Sequence, residues 1–292
     1  MEYLEYMKRE SIAGASAGVV GTVLGYPLDV IKTRQQVSNV SIPKAIQTIY
    51  RESGLMGYYR GMVAPLVSLT LLNTLNFSTY SFTKNGLNVP DQFDVTKDGF
   101  HWKVGIAGAS VGPLSSLIST PFELIKTQMQ LRNSSLSEGQ TKYRNSIHAA
   151  ISITKEHGVS ALYRAFAVNT TREMVFLATY FTVYEHVKSF QVHAMSLYPA
   201  SVAIPLAGGT AGAMGWLVSY PLDCIKSNIQ AKPIDGITKV PSAMQVAKYL
   251  INTKGFLGLY AGVIPSILRA FIVSSSRFSA YETTMWLLTP DK

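Results

Sequence analysis

Pro27-Leu28-Asp29-Val30-Ile31-Lys32 recurs as Pro121-Phe122-Glu123-Leu124-Ile125-Lys126 and again as Pro221-Leu222-Asp223-Cys224-Ile225-Lys226. The copies are 94 and 100 residues apart in a chain of 292, so one unit of about a third of the length is present three times. Each proline lacks the amide hydrogen that the helical ladder needs, which predicts a kink at Pro27, Pro121 and Pro221. Beyond each kink, Asp29, Lys32 and Gln36 fall three and four residues apart and share one helix face, as do Glu123, Lys126 and Gln130, and Asp223, Lys226 and Gln230. Thirteen residues before each proline stands the first member of a Gly-x-x-x-Gly pair: Gly14 with Gly18, Gly108 with Gly112, Gly208 with Gly212. Such pairs let a neighbouring helix come close in lipid.

Composition places these units in a membrane. Hydrophobic residues make up 47% of the chain and charged residues only 15%, against the balance expected of a soluble domain. Six stretches poor in charge, each near the ~20 residues of a bilayer crossing, are candidate spans. They are 11–28, 61–83, 104–122, 165–184, 194–222 and 255–276, the fourth and sixth interrupted by charge. All carry Gly, Ser, Thr, Asn or Pro, which suits helices packed around something polar. The expected fold is an all-α membrane protein: one domain over 1–292, six transmembrane helices in three tandem two-helix repeats at about 8–88, 101–191 and 200–290. Amphipathic periodicity before each Tyr59-Arg60-Gly61-like echo predicts a short surface helix in every repeat.

The net charge of +9 is scattered between spans rather than interleaved with aromatics, which argues against nucleic acid and for anionic lipid and an anionic group on a solute. One cysteine, Cys224, excludes an internal disulfide and a cysteine metal cluster, and His101, His148, His157, His186 and His193 have no metal spacing. No nucleophile turn or phosphate-cradling glycine loop is present, so neither an enzyme nor a cofactor is expected.

Three two-helix units put the three acid–base pairs at one depth around a pseudo-threefold axis. The pairing expected there is Asp29 with Lys126, Glu123 with Lys226 and Asp223 with Lys32, braced by Gln36, Gln130 and Gln230. On these motifs the sequence resembles the mitochondrial carrier family over nearly its whole length, from about Ser11 to Leu288. The resemblance implies that this ring is a matrix-side gate. It implies a cytoplasmic-side gate at the ends of the second helices, formed by Tyr80, Lys84, Tyr184, Glu185, Lys188, Tyr281 and Glu282. Ser81 stands there for an acid and Met285 for a base, so that ring keeps two pairs, Lys84 with Glu185 and Lys188 with Glu282, and is expected to be the weaker.

Mid-span charges mark the binding site by default. Arg172 and Arg269 each lie 13 residues before the acid of their helix end, with Ser68 at the matching place in repeat 1. A guanidinium suits a carboxylate. Glu173 would neutralise Arg172 or take a cationic group of the solute, and an Arg-Glu pair there resembles amino-acid-carrying members. Asn73, Asn76 and Arg277 are further candidates, Arg277 lining the cavity or reaching the upper ring. Trp216 is either packed between helices or a wall for the solute. Trp216 and Leu71-Leu72-Asn73-Thr74-Leu75-Asn76-Phe77 resemble the branch that holds basic amino-acid and carnitine/acylcarnitine carriers. The resemblance implies a monomeric alternating-access carrier of the mitochondrial inner membrane, with a peroxisomal membrane as the lesser alternative. The cargo would be a basic or neutral amino acid, exchanged or carried by uniport, and cardiolipin would be the bound lipid. Two alternatives stand beside it: a carnitine/acylcarnitine carrier, and a non-transporting adaptor that keeps the fold. Arg269→Ala is expected to abolish uptake without disturbing the fold.

Overall fold

The computed structural model describes residues 2–38, 40–90, 95–132, 143, 145–193, 200–234 and 240–288. The side chains of Ser68, Asn73, Arg277, Tyr281, Glu282 and Met285 are among those outside that description. All regular structure among the described residues is helical. Six long helices, α1 (Glu2–Ser38), α3 (Val63–Gly86), α5 (Trp102–Arg132), α7 (Phe166–His193), α8 (Ala200–Gln230) and α10 (Val263–Leu288), alternate with α2 (Ile42–Ser53), α4 (Val95–Asp98), α6 (Ser146–His157) and α9 (Ala243–Lys254). A 3-10 turn links each of α2, α6 and α9 to the next long helix. The long helices touch in the circular order α1, α3, α5, α7, α8, α10 and back to α1, and α1, α5 and α8 also meet one another.

The repeated proline phrase explains why each unit folds alike. All three repeat prolines lie inside unbroken helices. The residues three and four past each proline turn outward from the axis, where Val30 and Ile31 pack on Ala45 and Ile49 of α2. Leu124 and Ile125 pack likewise on Ala149 and Ile153 of α6, and Cys224 and Ile225 on Val246 and Leu250 of α9. Cys224 is thus the third copy of a small apolar core position, with no chemistry of its own required. The acid and the lysine, two and five past the proline, turn the other way, toward the axis.

Among the described residues no helix is long and apolar enough to cross a membrane. Length is not the obstacle, since even the 24-residue α3 is about 36 Å long; the obstacle is that polar groups occupy the inward faces. Ser115, Ser116, Ser119, Thr120, Asn169, Arg172 and Glu173 are buried, while Ile264, Leu268 and Ile272 line one outer face of α10 and Leu114 and Leu117 that of α5, all exposed. Polar groups inside and apolar stripes outside invert the soluble pattern and suit a lipid surround.

The glycine pairs are not equivalent, contrary to their identical register. A Cβ at Gly108 would lie 2.5 Å from the Leu177 carbonyl oxygen, and one at Gly112 2.7 Å from the Met174 nitrogen, so α5 and α7 are in backbone contact. At Gly212 a Cβ would meet nothing, and at Gly208 only the Tyr180 hydroxyl at 4.0 Å. In α1, Gly25 lies against α10, its Cβ position in close contact with Val273 Cγ2.

Candidate functional site

The proline-end ring is assembled across repeats. Lys126 Nζ donates to Asp29 Oδ2 at 2.7 Å, Lys226 Nζ to Glu123 Oε2 at 2.5 Å, and Lys32 Nζ lies 2.6 Å from Asp223 Oδ2. Each base therefore meets the acid of another repeat. The glutamines depart from a uniform brace. Gln36 Nε2 donates to Asp223 Oδ2 at 2.9 Å, but Gln130 Nε2 donates to the Tyr26 hydroxyl at 3.2 Å. Gln230 enters through its backbone carbonyl, which accepts from Gln128 Nε2 at 2.6 Å. Aromatic faces complete the ring: Lys32 Nζ lies 4.2 Å from the Trp216 ring centroid and 5.4 Å from that of Tyr220, and Lys126 Nζ 4.9 Å from that of Tyr26. Such contacts favour an ammonium withdrawn from water.

Both mid-span arginines reach this ring. Arg269 Nε is 2.7 Å from Asp29 Oδ1. Arg172 Nη2 is 3.7 Å from Glu123 Oε1, and its Nε 4.0 Å from Asp223 Oδ1. Glu173 forms a direct ion pair with Arg172, so of its two expected roles the neutralising one is occupied in this state. The cause is reach: a guanidinium stands several bonds from its Cα, and a mid-span arginine can seek a carboxylate a turn away. Because Asp29 is on α1, Arg269 ties α10 to α1, and Arg269→Ala would not leave the packing undisturbed.

Trp216 has its face filled by Lys32. It meets Phe176 of α7 edge-on at 5.3 Å and lies 6.0 Å from the Arg172 guanidinium carbon. Asn76 Oδ1 is buried with no hydrogen-bond partner among the described groups. Ser68, Asn73 and Arg277 fall outside the described side chains.

At the opposite end Lys84 Nζ is 3.5 Å from Glu185 Oε1, and the Tyr80 hydroxyl donates to the same oxygen at 3.3 Å. Tyr80 stacks on Phe181 with centroids 3.7 Å apart. Lys188 Nζ lies 5.8 Å from the Tyr184 ring centroid; its expected partner Glu282, with Tyr281, is outside the described side chains. Ser81 is exposed. Two histidines that sequence spacing leaves apart come together here, the His101 backbone amide donating to His186 Nε2 at 3.0 Å. Among the described residues no group of His, Cys, Asp or Glu could hold a metal ion.

Asn169 is the functional candidate that sequence reasoning missed. It is fully buried, donates to Ser119 Oγ at 3.1 Å and Thr120 Oγ1 at 2.9 Å, and accepts from Arg172 Nε at 3.4 Å. Its signal was present: it stands one turn before Arg172, on the same face.

A family model described as mitochondrial carrier protein matches residues 5–90, 97–194 and 200–292. The chain belongs to the mitochondrial carrier protein family. Relatives match it over nearly its full length. Mitochondrial substrate carrier family protein S of Dictyostelium discoideum is 30% identical over 96% of this chain and 97% of its own. Mitochondrial arginine transporter BAC2 of Arabidopsis thaliana is 31% identical over 95% and 90%, and the succinate/fumarate mitochondrial transporter of Saccharomyces cerevisiae 31% over 93% and 88%. This carrier is a multi-pass protein of the mitochondrial inner membrane and a transporter of small-molecule solutes across it.

Proposed function

We propose that this carrier exchanges an amino acid by alternating access, with the proline-end ring as matrix-side gate. The Lys84–Glu185 cluster, completed by Lys188 and Glu282, is its cytoplasmic-side gate. The observation that carries the reading is the continuity of the three cross-repeat ion pairs with Arg172, Glu173 and Arg269. Two guanidiniums suit a cargo carboxylate and Glu173 suits a cargo cation. Relatives named for arginine and for basic amino acids agree with that assignment. The matrix-side ring has three pairs at 2.5–2.7 Å against 3.5 Å for Lys84–Glu185, in keeping with a stronger lock on that side. Three intact pairs also speak against a non-transporting adaptor, which needs no reversible lock. The carnitine reading loses its seat for a quaternary ammonium, since Lys32 occupies the Trp216 face.

A second reading rests on the charge around the axis. Lys32, Lys126, Lys226, Arg172 and Arg269 face Asp29, Glu123, Asp223 and Glu173, leaving one positive charge in surplus among the described residues. That surplus favours a carboxylate-rich cargo, the class named by the yeast succinate/fumarate relative. Counter-exchange in proteoliposomes loaded in turn with arginine, lysine, glutamine, glutamate, succinate and acylcarnitine separates the readings. Exchange of an amino acid is the expected result. Exchange of succinate alone overturns the amino-acid assignment, and no exchange by folded protein overturns transport of these classes.

A further inference from the structure

Each acid of the proline-end ring touches an arginine as well as a lysine. Lys126 Nζ donates to Asp29 Oδ2 and Arg269 Nε lies against Oδ1, each at 2.7 Å, the second a contact of charge rather than a hydrogen bond, since Arg269 Nε has no hydrogen-bond partner among the described groups. Glu123 has Lys226 and Arg172, and Asp223 has Lys32 and Arg172. The two arginines that suit a cargo carboxylate lie against carboxylates of the ring. A guanidinium whose charge is already offset by one carboxylate draws a second less strongly until the first contact is given up.

We infer that Arg269 is a latch: it fastens α10 to Asp29 of α1, and a cargo carboxylate competes with Asp29 for it. The inference rests on the reading of the ring as a gate. Arg269 is the more accessible of the two arginines, its side chain 29% exposed against 6% for Arg172, so the competition begins there. Arg172 is further tied to Glu173 and Asn169 and yields later. Cargo binding then removes one of the two cations on Asp29 and leaves Lys126 alone to hold it. Binding energy is thereby directed to the step that opens the ring, since a ligand shifts an equilibrium only by its differential contacts with the two states. It also gives the empty carrier a reason to stay shut.

The test is a double-mutant cycle on the purified full-length chain without cargo, read as the midpoint of thermal unfolding. Arg269→Gln is expected to lower Tm by about 3 °C or more in the wild-type background. In the Asp29→Asn background the same change is expected to cause no fall, because the carboxylate it served is gone. Equal effects in both backgrounds overturn the latch. Lys126→Gln supplies the control: if it leaves Tm unchanged, the ring does not hold the helices and the gate reading fails. If Lys126→Gln lowers Tm and Arg269→Gln does not, only the latch fails. Should Asp29→Asn not fold, Arg269→Lys decides, since a latch is partly restored by any cation; a lysine no better than glutamine overturns it. Competition has its own readout, thermal-shift titration with L-arginine, L-glutamate and succinate. Freeing Arg269 by Asp29→Asn is expected to lower the half-saturating concentration of a stabilising probe by about threefold or more. A panel that stabilises Asp29→Asn no better than wild type overturns the competition.

Discussion

Gly108→Ala and Gly212→Ala make the same chemical change at the same register of two repeats and are predicted to have opposite effects. At Gly108 the new methyl would meet three backbone atoms of α7: the Leu177 oxygen at 2.5 Å, its carbonyl carbon at 2.9 Å and the Ala178 Cα at 3.0 Å. No rotamer change relieves contact with backbone, so α5 and α7 must part by about 1 Å to restore contacts of roughly 3.5 Å. Overpacking of that kind costs about 1–3 kcal/mol, and the better helix propensity of alanine returns about 0.5–1 kcal/mol. The net is a loss of about 0–2.5 kcal/mol and a fall in Tm of up to roughly 10 °C; against Gly212→Ala the difference is the overpacking cost itself, about 1–3 kcal/mol. At Gly212 nothing lies within contact distance. The propensity gain stands alone there, so Tm is expected to hold or to rise by a few degrees. Thermal unfolding of the purified variants, with proteoliposome exchange alongside, checks both. Because α7 carries Arg172 and Glu173, Gly108→Ala should also slow exchange. Midpoints for the two variants that agree within a degree would refute the claim that the Gly108 pair is a backbone contact and the Gly208 pair is not.

Three other changes follow from buried contacts. Asn169→Leu removes the partner shared by Ser119, Thr120 and Arg172; a loss of about 1–3 kcal/mol in stability and a raised KM in exchange are expected, and an unchanged KM would show that Asn169 does not aim Arg172. Trp216→Leu takes the aromatic face from Lys32 and is expected to lower Tm by an amount that Trp216→Phe largely restores, the contact being worth about 1–2 kcal/mol; equal losses for both would assign Trp216 to packing alone. Ala165 has φ of 66°, where Gly61 and Gly262 hold the corresponding places at 84° and 87°, so Ala165→Gly is predicted to stabilise by about 1 kcal/mol. Gly262→Ala, with Tyr220 Oη 3.0 Å from its Cβ position, is predicted to destabilise, and matched midpoints for that pair would sink the backbone argument.

The ring was legible because every term in it is repeated. A proline, an acid two residues on and a lysine five residues on fix a kink and a helix face in each copy, and threefold repetition converts one face into three cross-repeat pairs. The same logic located the surface helices, whose cores are copies of one another. What it could not give was the end point of a long side chain. Spacing sets the depth of the Arg269 Cα on α10, but the guanidinium reaches Asp29 on α1 through a partner chosen by charge rather than by register. The Gly208–Gly212 pair fails, where Gly108–Gly112 succeeds, for a related reason: spacing presents a bare face, and only the curvature and tilt of two helices decide whether a backbone arrives there.

Repeat 2 shows why the buried anchor of the site lies where the symmetry breaks. In repeats 1 and 3 the residue before the proline is a tyrosine, Tyr26 or Tyr220, whose hydroxyl sits against the glycine that ends the 3-10 turn, 3.2 Å from the Cβ position of Gly61 or 3.0 Å from that of Gly262. In repeat 2 the tyrosine is Thr120 and the glycine is Ala165. Four residues past that turn end stands Ser266 in repeat 3, within 3.3 Å of the Tyr220 hydroxyl, and Asn169 in repeat 2, on Thr120. The smaller threonine leaves room for the larger asparagine, and the alanine methyl is admitted where a tyrosine hydroxyl would have met it. Asn169 in turn accepts from Arg172. The three departures are therefore one exchange of volume, and Thr120→Tyr is predicted to fail in this background by displacing Asn169. It should regain stability when combined with Ala165→Gly and Asn169→Ser, which restore the arrangement of repeat 3. A triple variant that is stable yet exchanges poorly would assign Asn169 to the site; one that exchanges normally would reduce it to packing.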